Sequence, residues 1–490
     1  MGMSRPLDER LASIAALTLG ALAGIQNPRA ADVGCDHGFL SAYLLEQRPD
    51  LTVLCSDVSA PSLDKARRLL GERQIMHRAH FAVADGLAAI DEPVHAIVIA
   101  GMGAATILKI VSEGRERIGG AALIVQANLN LPQLRKGLCA LGFGIEREAY
   151  ADAGGRHYVT MLARRAQART LTPREAFLGA ATCGAQDEAQ RAHLRLLRTV
   201  QAREAEKVAR LGSSGARKKL TDNLNNIRWI GEALHMKTCT AKELEALVGE
   251  IAPYELAEEW DNVGLLVGRA QSEIERVLVA LDVTREVLCE AKALGVQAIV
   301  THHPMMFHAR KRLTDEDREG RLLLDMAKED IALIAAHTNL DAAPGGVNDT
   351  LMRLMGCENV EGEGCVRVGD LPEGTTFGQL RERAQSALHA AVRAYGSDDA
   401  IVTRLGCCSG AGGSELSIAR TMGADCFITG EVRHHEALDA VDAGMCVLEA
   451  GHYETENPVC EVLRTALQTK LDALQYTVMV FCSKANPFGR

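Results

Sequence analysis

Short apolar runs and longer stretches with apolar residues at helical spacing alternate along most of this 490-residue chain. Apolar runs of four to eight residues bounded by Gly, Asp or Pro read as strands, and recurrence at i, i+3 and i+4 reads as helix. Between residues 7 and 165 the pattern predicts a helix at 8–22 and strands at 29–33, 52–56, 80–83, 96–100 and 122–125, with helices between them. Two extended runs, 144–150 and 157–162, are joined by Gly154-Gly155 and read as a closing hairpin. Alternation that ends in a hairpin predicts an α/β, Rossmann-like sheet, parallel except for a reversed edge.

Residues 166–235 lose the strand signal. Pro173 marks a helix start, and 191–210 carries apolar residues at helical spacing among Ala, Leu, Arg, Glu and Gln. Gly212-Ser213-Ser214-Gly215 breaks the pattern, which resumes at 218–234. Two antiparallel helices forming an arm are the simplest reading. From residue 240 a second α/β alternation begins, with strands expected at 277–281, 298–300, 331–336, 401–405, 426–429, 445–448 and 477–481. No fixed-period repeat runs through it. The expected domains are 4–165, 166–235 and 240–485.

Composition is globular, with 47% apolar residues, and no run is long or apolar enough to span a bilayer. Asp8, Glu9 and Arg10 in the first helix do not follow the basic-then-apolar order of a secretion signal, so a cytoplasmic location is expected. The 14 cysteines are scattered without a CxxC, which argues against a disulfide framework or a zinc ribbon. Charge, however, is split. Residues 1–235 carry 30 basic against 24 acidic side chains, and residues 236–490 carry 24 against 40. In the arm the ratio is 12 to 7. This asymmetry predicts that only the first half meets a polyanion.

The first strand runs into Asp32-Val33-Gly34-Cys35-Asp36-His37-Gly38, just before a helix. A glycine turn there lets backbone approach a ligand, with helix-start N–H groups aimed at it. Asp57 ends the next strand, where a carboxylate accepts ribose hydroxyls, and Asp85-Gly86 ends the third, within reach of an adenine amino group. A cofactor with ribose and adenine but no pyrophosphate fits better than NAD, and S-adenosylmethionine is such a cofactor. With Ile99-Ala100-Gly101-Met102-Gly103 and Gln126-Ala127-Asn128, these residues resemble the TrmK family of tRNA methyltransferases, which act on adenine N1 at tRNA position 22. The resemblance covers about residues 4–235. It implies a class I methyltransferase sheet, a coiled-coil arm, tRNA as partner and a cofactor site at Asp32, Gly34, Gly38, Asp57, Asp85, Gly86 and Gly101. Asp36 and His37 are candidates for placing cofactor or base. Ala104 stands where that family usually has a further glycine. The lone pair of a ring nitrogen attacks a methyl group directly, so the reaction demands alignment more than a general base.

Four stretches of the second half carry different chemistry. They are Thr301-His302-His303-Pro304, His337-Thr338-Asn339-Leu340-Asp341, Glu431-Val432-Arg433-His434-His435 and Gly451-His452-Tyr453-Glu454-Thr455-Glu456. Most follow an apolar run, which places them at strand ends, where open α/β sheets bind ligands. Imidazoles and carboxylates without thiolates suit Zn, Fe, Mn or Co. His302 and His303 would face opposite ways on a regular strand, whereas a loop ending at Pro304 splays them toward separate ions. His452 and Glu456 share one helix face, and Asp341 is the expected bridge. With Trp260-Asp261-Asn262-Val263-Gly264-Leu265, these motifs resemble the NGG-interacting-factor-three-like family, whose members are often labelled type-two GTP cyclohydrolase homologues. The resemblance runs from about 240 to 485. It implies two divalent metal ions held by His302, His303, Asp341, His452 and Glu456, and a toroidal homo-oligomer. His337, His434 and His435 would be acid/base or substrate contacts.

The expected whole is an S-adenosylmethionine-dependent tRNA adenine-N1 methyltransferase with a basic arm. Joined to it is a dinuclear-metal, hydrolase-like domain for an unidentified small molecule, a nucleotide among the options. Two rivals stay open. The second domain is a non-catalytic metal-binding scaffold in one, and the first methylates a small molecule in the other. The cationic arm weighs against the latter, since a small substrate needs no extended positive surface.

Overall fold

The computed structural model describes residues 7–488 apart from 180–186, 210 and 212–213. It divides into two compact units, residues 1–201 with 225–234, and residues 202–224 with 235–490. The division falls inside the helical pair that the sequence sets apart as an arm, Glu188–Ala209 and Ser214–Ala233. Two positions of the expected break between those helices, Gly212 and Ser213, lie outside the described residues, as do residues 4–6.

The first unit is built on one sheet of β1 (Arg29–Val33), β2 (Thr52–Asp57), β3 (Ala79–Val83), β4 (Ala96–Met102), β5 (Ala122–Ala127), β6 (Phe143–Ala153) and β7 (Arg156–Arg165). Its order is β3-β2-β1-β4-β5-β7-β6. Pairing is parallel from β3 to β5 and antiparallel at β7 and β6. β5 is buried along its whole length, the consequence of helices covering both faces of a parallel sheet. The helix Glu9–Ala21 starts where Asp8 accepts the Leu11 N–H at 2.7 Å. Strand order reverses beside β1, leaving a crevice past the strand ends. A cavity of about 1440 Å³ opens there.

The second unit contains β8 (Cys239–Thr240), β9 (Gly264–Val267), β10 (Glu273–Ile274), β11 (Arg276–Ala280), β12 (Ala298–Thr301) and β13 (Ala332–Ala335). It continues with β14 (Glu358–Glu363), β15 (Val366–Asp370), β16 (Arg393–Tyr395), β17 (Arg404–Cys408), β18 (Cys426–Thr429), β19 (Cys446–Glu449) and β20 (Met479–Cys482). A five-stranded sheet has the order β20-β11-β12-β13-β9, a six-stranded sheet has the order β14-β15-β17-β18-β19-β16, and β10 pairs with β8. The strand expected at 401–405 lies three residues later. Ile401 is 57% exposed and makes only an isolated bridge to Thr376, while Cys407 and Cys408 are the buried pair. The β14–β15 hairpin has no counterpart in the sequence pattern because β14 is acidic and exposed throughout. No helix among the described residues is long and apolar enough to cross a membrane.

One buried ion pair ties the first unit together. Arg135 meets Glu148 on β6 through two bonds of 2.7 and 3.0 Å, and Tyr150 donates to the same carboxylate at 2.7 Å. Nη1 donates to the carbonyls of Ala176 and Phe177 at 3.0 and 2.8 Å. These bonds pin the helix Pro173–Leu178, which Thr172 and Glu175 cap reciprocally. Removing one partner of such a pair leaves an uncompensated buried charge. Arg135→Ala is therefore expected to destabilise this unit by about 3–5 kcal/mol. Urea denaturation in a Trp260→Phe background reads this unit alone, because Trp229 is then the only indole. A loss below about 1 kcal/mol would mean the pair is no more than a surface contact.

Candidate functional site

In the second unit, strands of both larger sheets end in groups that converge. His302 and His303 follow β12, and their backbone N–H groups bond to Ala280 and Leu281 at 3.3 and 3.0 Å, prolonging the pairing with β11. Asp341 sits in the short helix Thr338–Ala342 after β13, and His452 and Glu456 in the short helix His452–Glu456 after β19. Glu456 lies 3.0 Å from His303 Nε2 and 3.2 Å from His452 Nε2, and 3.9 Å from His302 Nε2, which is itself 3.7 Å from Asp341. Two ligand sets result, His302 with Asp341 and Glu456, and His303 with His452 and Glu456, each with its donor atoms within 4.8 Å of one another. The carboxylate common to both is Glu456. Asp341, the bridge expected from sequence, lies in the first of these sets and not in the second.

Each imidazole is held from behind. His302 Nδ1 bonds to the Ala336 carbonyl at 2.9 Å, His303 Nδ1 to Asp282 at 2.8 Å, His337 Nδ1 to Asp261 at 2.8 Å and His452 Nδ1 to Glu431 at 3.0 Å. An acceptor at Nδ1 fixes the proton there and leaves Nε2 with its lone pair, the arrangement of metal-ligating histidine. His302 Nε2 and Asp341 Oδ1 are buried with no hydrogen-bond partner among the described residues, and buried Glu456 Oε2 faces only imidazole nitrogens. Buried polar atoms aimed at one region in this way are costly unless an ion meets them. Gly410 completes the cradle. Its φ is +59°, and a Cβ there would strike the Glu456 carboxylate and approach His452 Nε2 to 3.1 Å. The residues fit the binding of metal.

Charge in this cluster is strongly coupled. Burial lowers the basicity of His303, but Asp282 and Glu456 overcome it and push its pKa up to about 10. The Glu456 carboxylate, accepting from the protonated ring, carries His452 up to about 8. Burial raises Asp341 to about 6. Glu456 is equally buried, yet the three imidazoles hold it well below the usual carboxylate range. His337 joins His302 and His303 in a third group. His434 and His435 do not join: both are exposed at the start of the helix His434–Asp442, in none of the ligand sets. Asp261, Asp282 and Glu431, which orient the imidazoles, were not singled out as site residues. Their only sequence signal is an acidic residue beside a strand end or a histidine motif.

In the first unit, the cavity is lined by Asp32, Gly34, Asp36, His37, Asp57, Asp85, Gly86 and Gly101. Gly34 has φ +74°, and a Cβ there would collide with the Met102 side chain. Gly38 does not line the cavity. It packs behind the turn, where a Cβ would come within 2.8 Å of Ala66. Asp57 accepts the N–H groups of Asp36 and Ser59 at 3.1 and 2.8 Å, fixing the turn and keeping lone pairs for a ligand. Asp32 accepts from Ser41 at 2.6 Å, and burial raises its pKa to about 6. His37 is exposed and bonds to its neighbour Asp36 at 2.6 Å. Gln126 accepts from Arg10 and from the Gly101 N–H, both at 3.1 Å, while Asn128 donates to the Gly101 carbonyl at 2.8 Å. The two motifs at the ends of β4 and β5 are thus one bonded network.

These two sites define a chain with an imidazole–carboxylate ligand cluster in one unit and a large cleft at the strand ends in the other. Residues 239–487 match the model of Duf34/NIF3 (NGG1p interacting factor 3), and residues 7–161 match that of a methyltransferase domain. The chain belongs to the Duf34/NIF3 family and carries a methyltransferase domain ahead of it. A GTP cyclohydrolase 1 type 2 homolog of Clostridium perfringens is 34% identical over 46% of this chain and 90% of its own length. A Bacillus cereus protein related to NIF3 is similar in structure over 51% of this chain and 98% of its own, with 24% identity and a TM-score of 0.49. The B. subtilis M1A22 tRNA methyltransferase TrmK covers 46% of this chain and 98% of its own, at 18% identity and a TM-score of 0.41.

Loading a metal on the cluster must expel the protons that His303 and His452 hold in its absence. Calorimetric titration with Zn²⁺ or Mn²⁺ in buffers of different ionisation enthalpy is expected to show about one proton or more released at pH 7. Apparent affinity should be weaker at pH 6 than at pH 8. Binding without proton release at either pH would place the ion elsewhere.

Proposed function

We propose that this chain is bifunctional: an S-adenosylmethionine-dependent methyltransferase for N1 of adenine 22 in tRNA, joined to a dinuclear-metal, hydrolase-like domain that acts on a small molecule. The methyl-transfer half is carried by the cleft, whose glycine turn and Asp57 suit a ribosyl cofactor on one side. On the other side the bonded Gly101–Gln126–Asn128 motifs are those that resemble TrmK. When bound, S-adenosylmethionine supplies a sulfonium methyl whose bond to sulfur breaks as carbon bonds to N1, so positive charge passes from sulfur to base. No proton has to leave first, which agrees with the lack of a buried general base at His37. Arg217, Lys218 and Lys219 are exposed on the second arm helix, and only Lys219 makes an ion pair among the described residues, with Glu204 at 2.9 Å. Free cations there suit phosphates.

The hydrolytic half is carried by the converging buried ligand atoms of His302, Asp341 and Glu456. Divalent ions, when bound, polarise a substrate oxygen and lower the pKa of a coordinated water. His302 and Asp341 would hold one ion, His303 and His452 the other, with Glu456 shared. His337 stands beside them, its ring 5.2 Å from His302 and 5.5 Å from His303. With Nδ1 locked by Asp261 it offers Nε2 to a substrate proton.

Two measurements test these halves separately. Gly34→Val should abolish calorimetrically detectable S-adenosylmethionine binding and methylation of unmodified tRNA while leaving metal content unchanged. Methyl groups recovered on any nucleotide but adenine 22 would refute the substrate assignment. Elemental analysis should find that Glu456→Ala loses both ions and Asp341→Ala one. Equal losses in the two variants would mean that Glu456 is not the bridge.

A further inference from the structure

The first unit's cavity is larger than a nucleoside cofactor requires. Its volume of about 1440 Å³ exceeds the roughly 1,000 Å³ at the upper end for a pocket that holds one drug-sized ligand. Strand order locates the surplus. Asp32, Asp57 and Asp85 stand at or just beyond the ends of β1, β2 and β3, on one side of the sheet. Asn128 and the β6–β7 turn stand on the other side, and there the lining is completed by His193, Leu196 and Leu197 from the helix Glu188–Ala209.

His193 is 6% exposed, and its Nδ1 is buried without a hydrogen-bond partner among the described residues. Its ring lies 5.0 Å from that of Tyr150 and 6.2 Å from that of His157. Neither neighbour is free to serve it: Tyr150 donates to Glu148 at 2.7 Å, and His157 Nε2 lies 3.3 Å from Asp152. Burial, reinforced by Arg135 and His157, lowers the His193 pKa to about 4, so the ring is neutral at physiological pH. A neutral imidazole carries one proton. Leaving a buried donor unmade is costly, which assigns the lone pair to Nδ1 and the proton to Nε2 of a ring that lines the cavity.

We propose that His193 is a substrate-positioning residue, donating a hydrogen bond from Nε2 to a ring nitrogen of the target adenine other than N1. The inference rests on the adenine-N1 reading given above. N1 must keep its lone pair for the methyl group, so a donor that orients the base has N7 or N3 as its acceptor. Leu129, 73% exposed, and Leu196, 38% exposed, offer apolar surface to the faces of the base. The arm then does more than attract phosphates: its first helix forms a wall of the substrate pocket.

The experiment uses the full chain and unmodified tRNA carrying adenine, 7-deazaadenine or 3-deazaadenine at the target position. His193→Phe keeps the ring and removes the donor. It should leave S-adenosylmethionine affinity unchanged and lower kcat/KM for adenine about tenfold, the worth of one hydrogen bond. His193→Gln, which retains an N–H donor, should recover most of that loss. One of the two deaza substrates should cost the wild type as much as the substitution does, and cost His193→Phe nothing further. If both deaza losses add fully to the His193→Phe loss, or if His193→Phe matches the wild type on adenine, the inference is overturned. His193→Asn is the second donor-displacing variant, to be read by the same coupling if the phenyl ring disturbs cofactor binding. A wild type that binds cofactor but methylates no tRNA would instead overturn the adenine reading itself.

Discussion

A carboxylate almost removed from water governs the architecture of the second unit. Glu456 is 4% exposed, and an unpaired charge at such a place costs several kcal/mol. Compensation has to arrive from several directions at once. His302 and His303 bring it from the five-stranded sheet and His452 from the six-stranded sheet, so strand ends of both sheets are drawn to one point. Backbone must also approach closely there. Gly410 and Gly430 have no side chain in the space that Glu456 and the His452 backbone occupy. The acidic residues behind the imidazoles then settle which nitrogen faces inward.

The first unit buries charge to the opposite end. In the Arg135–Glu148 pair two ion-pair contacts, a tyrosine hydroxyl and two carbonyls engage four of the five guanidinium N–H groups and both carboxylate oxygens. At the cluster around Glu456, and at His193, burial leaves polar atoms with no partner.

Much of this was legible in the chain itself. β1, β2, β4, β5, β12, β13, β18 and β19 announce themselves as apolar runs because both faces of a parallel sheet are covered. The glycine turn and the strand-end histidines are visible for the same reason, since they interrupt those runs. The acidic β14 gives no such signal, and β17 was displaced because Ile401 and Val402 look as strand-like as the Cys407-Cys408 pair. His434-His435 and His302-His303 are indistinguishable as letters. One pair opens an exposed helix and the other ends a buried strand. The supporting roles of Asp261, Asp282 and Glu431 depend on neighbours 21 to 76 positions away in sequence. Spacing along the chain carries no trace of them.

The division of the helical pair has a topological consequence. Residues 202–224 belong with the second unit, although the chain on either side of them, to 201 and from 225 to 234, belongs with the first. Glu206 of that segment accepts the Cys482 N–H at 3.4 Å. The polypeptide therefore passes from one unit to the other three times, and no single cut separates them whole. A gene split after residue 235 would leave the second product without the helical segment it packs against. What reads along the sequence as two enzymes end to end is interlaced as a polypeptide, so shuffling either half onto another partner would have to carry a discontinuous piece with it.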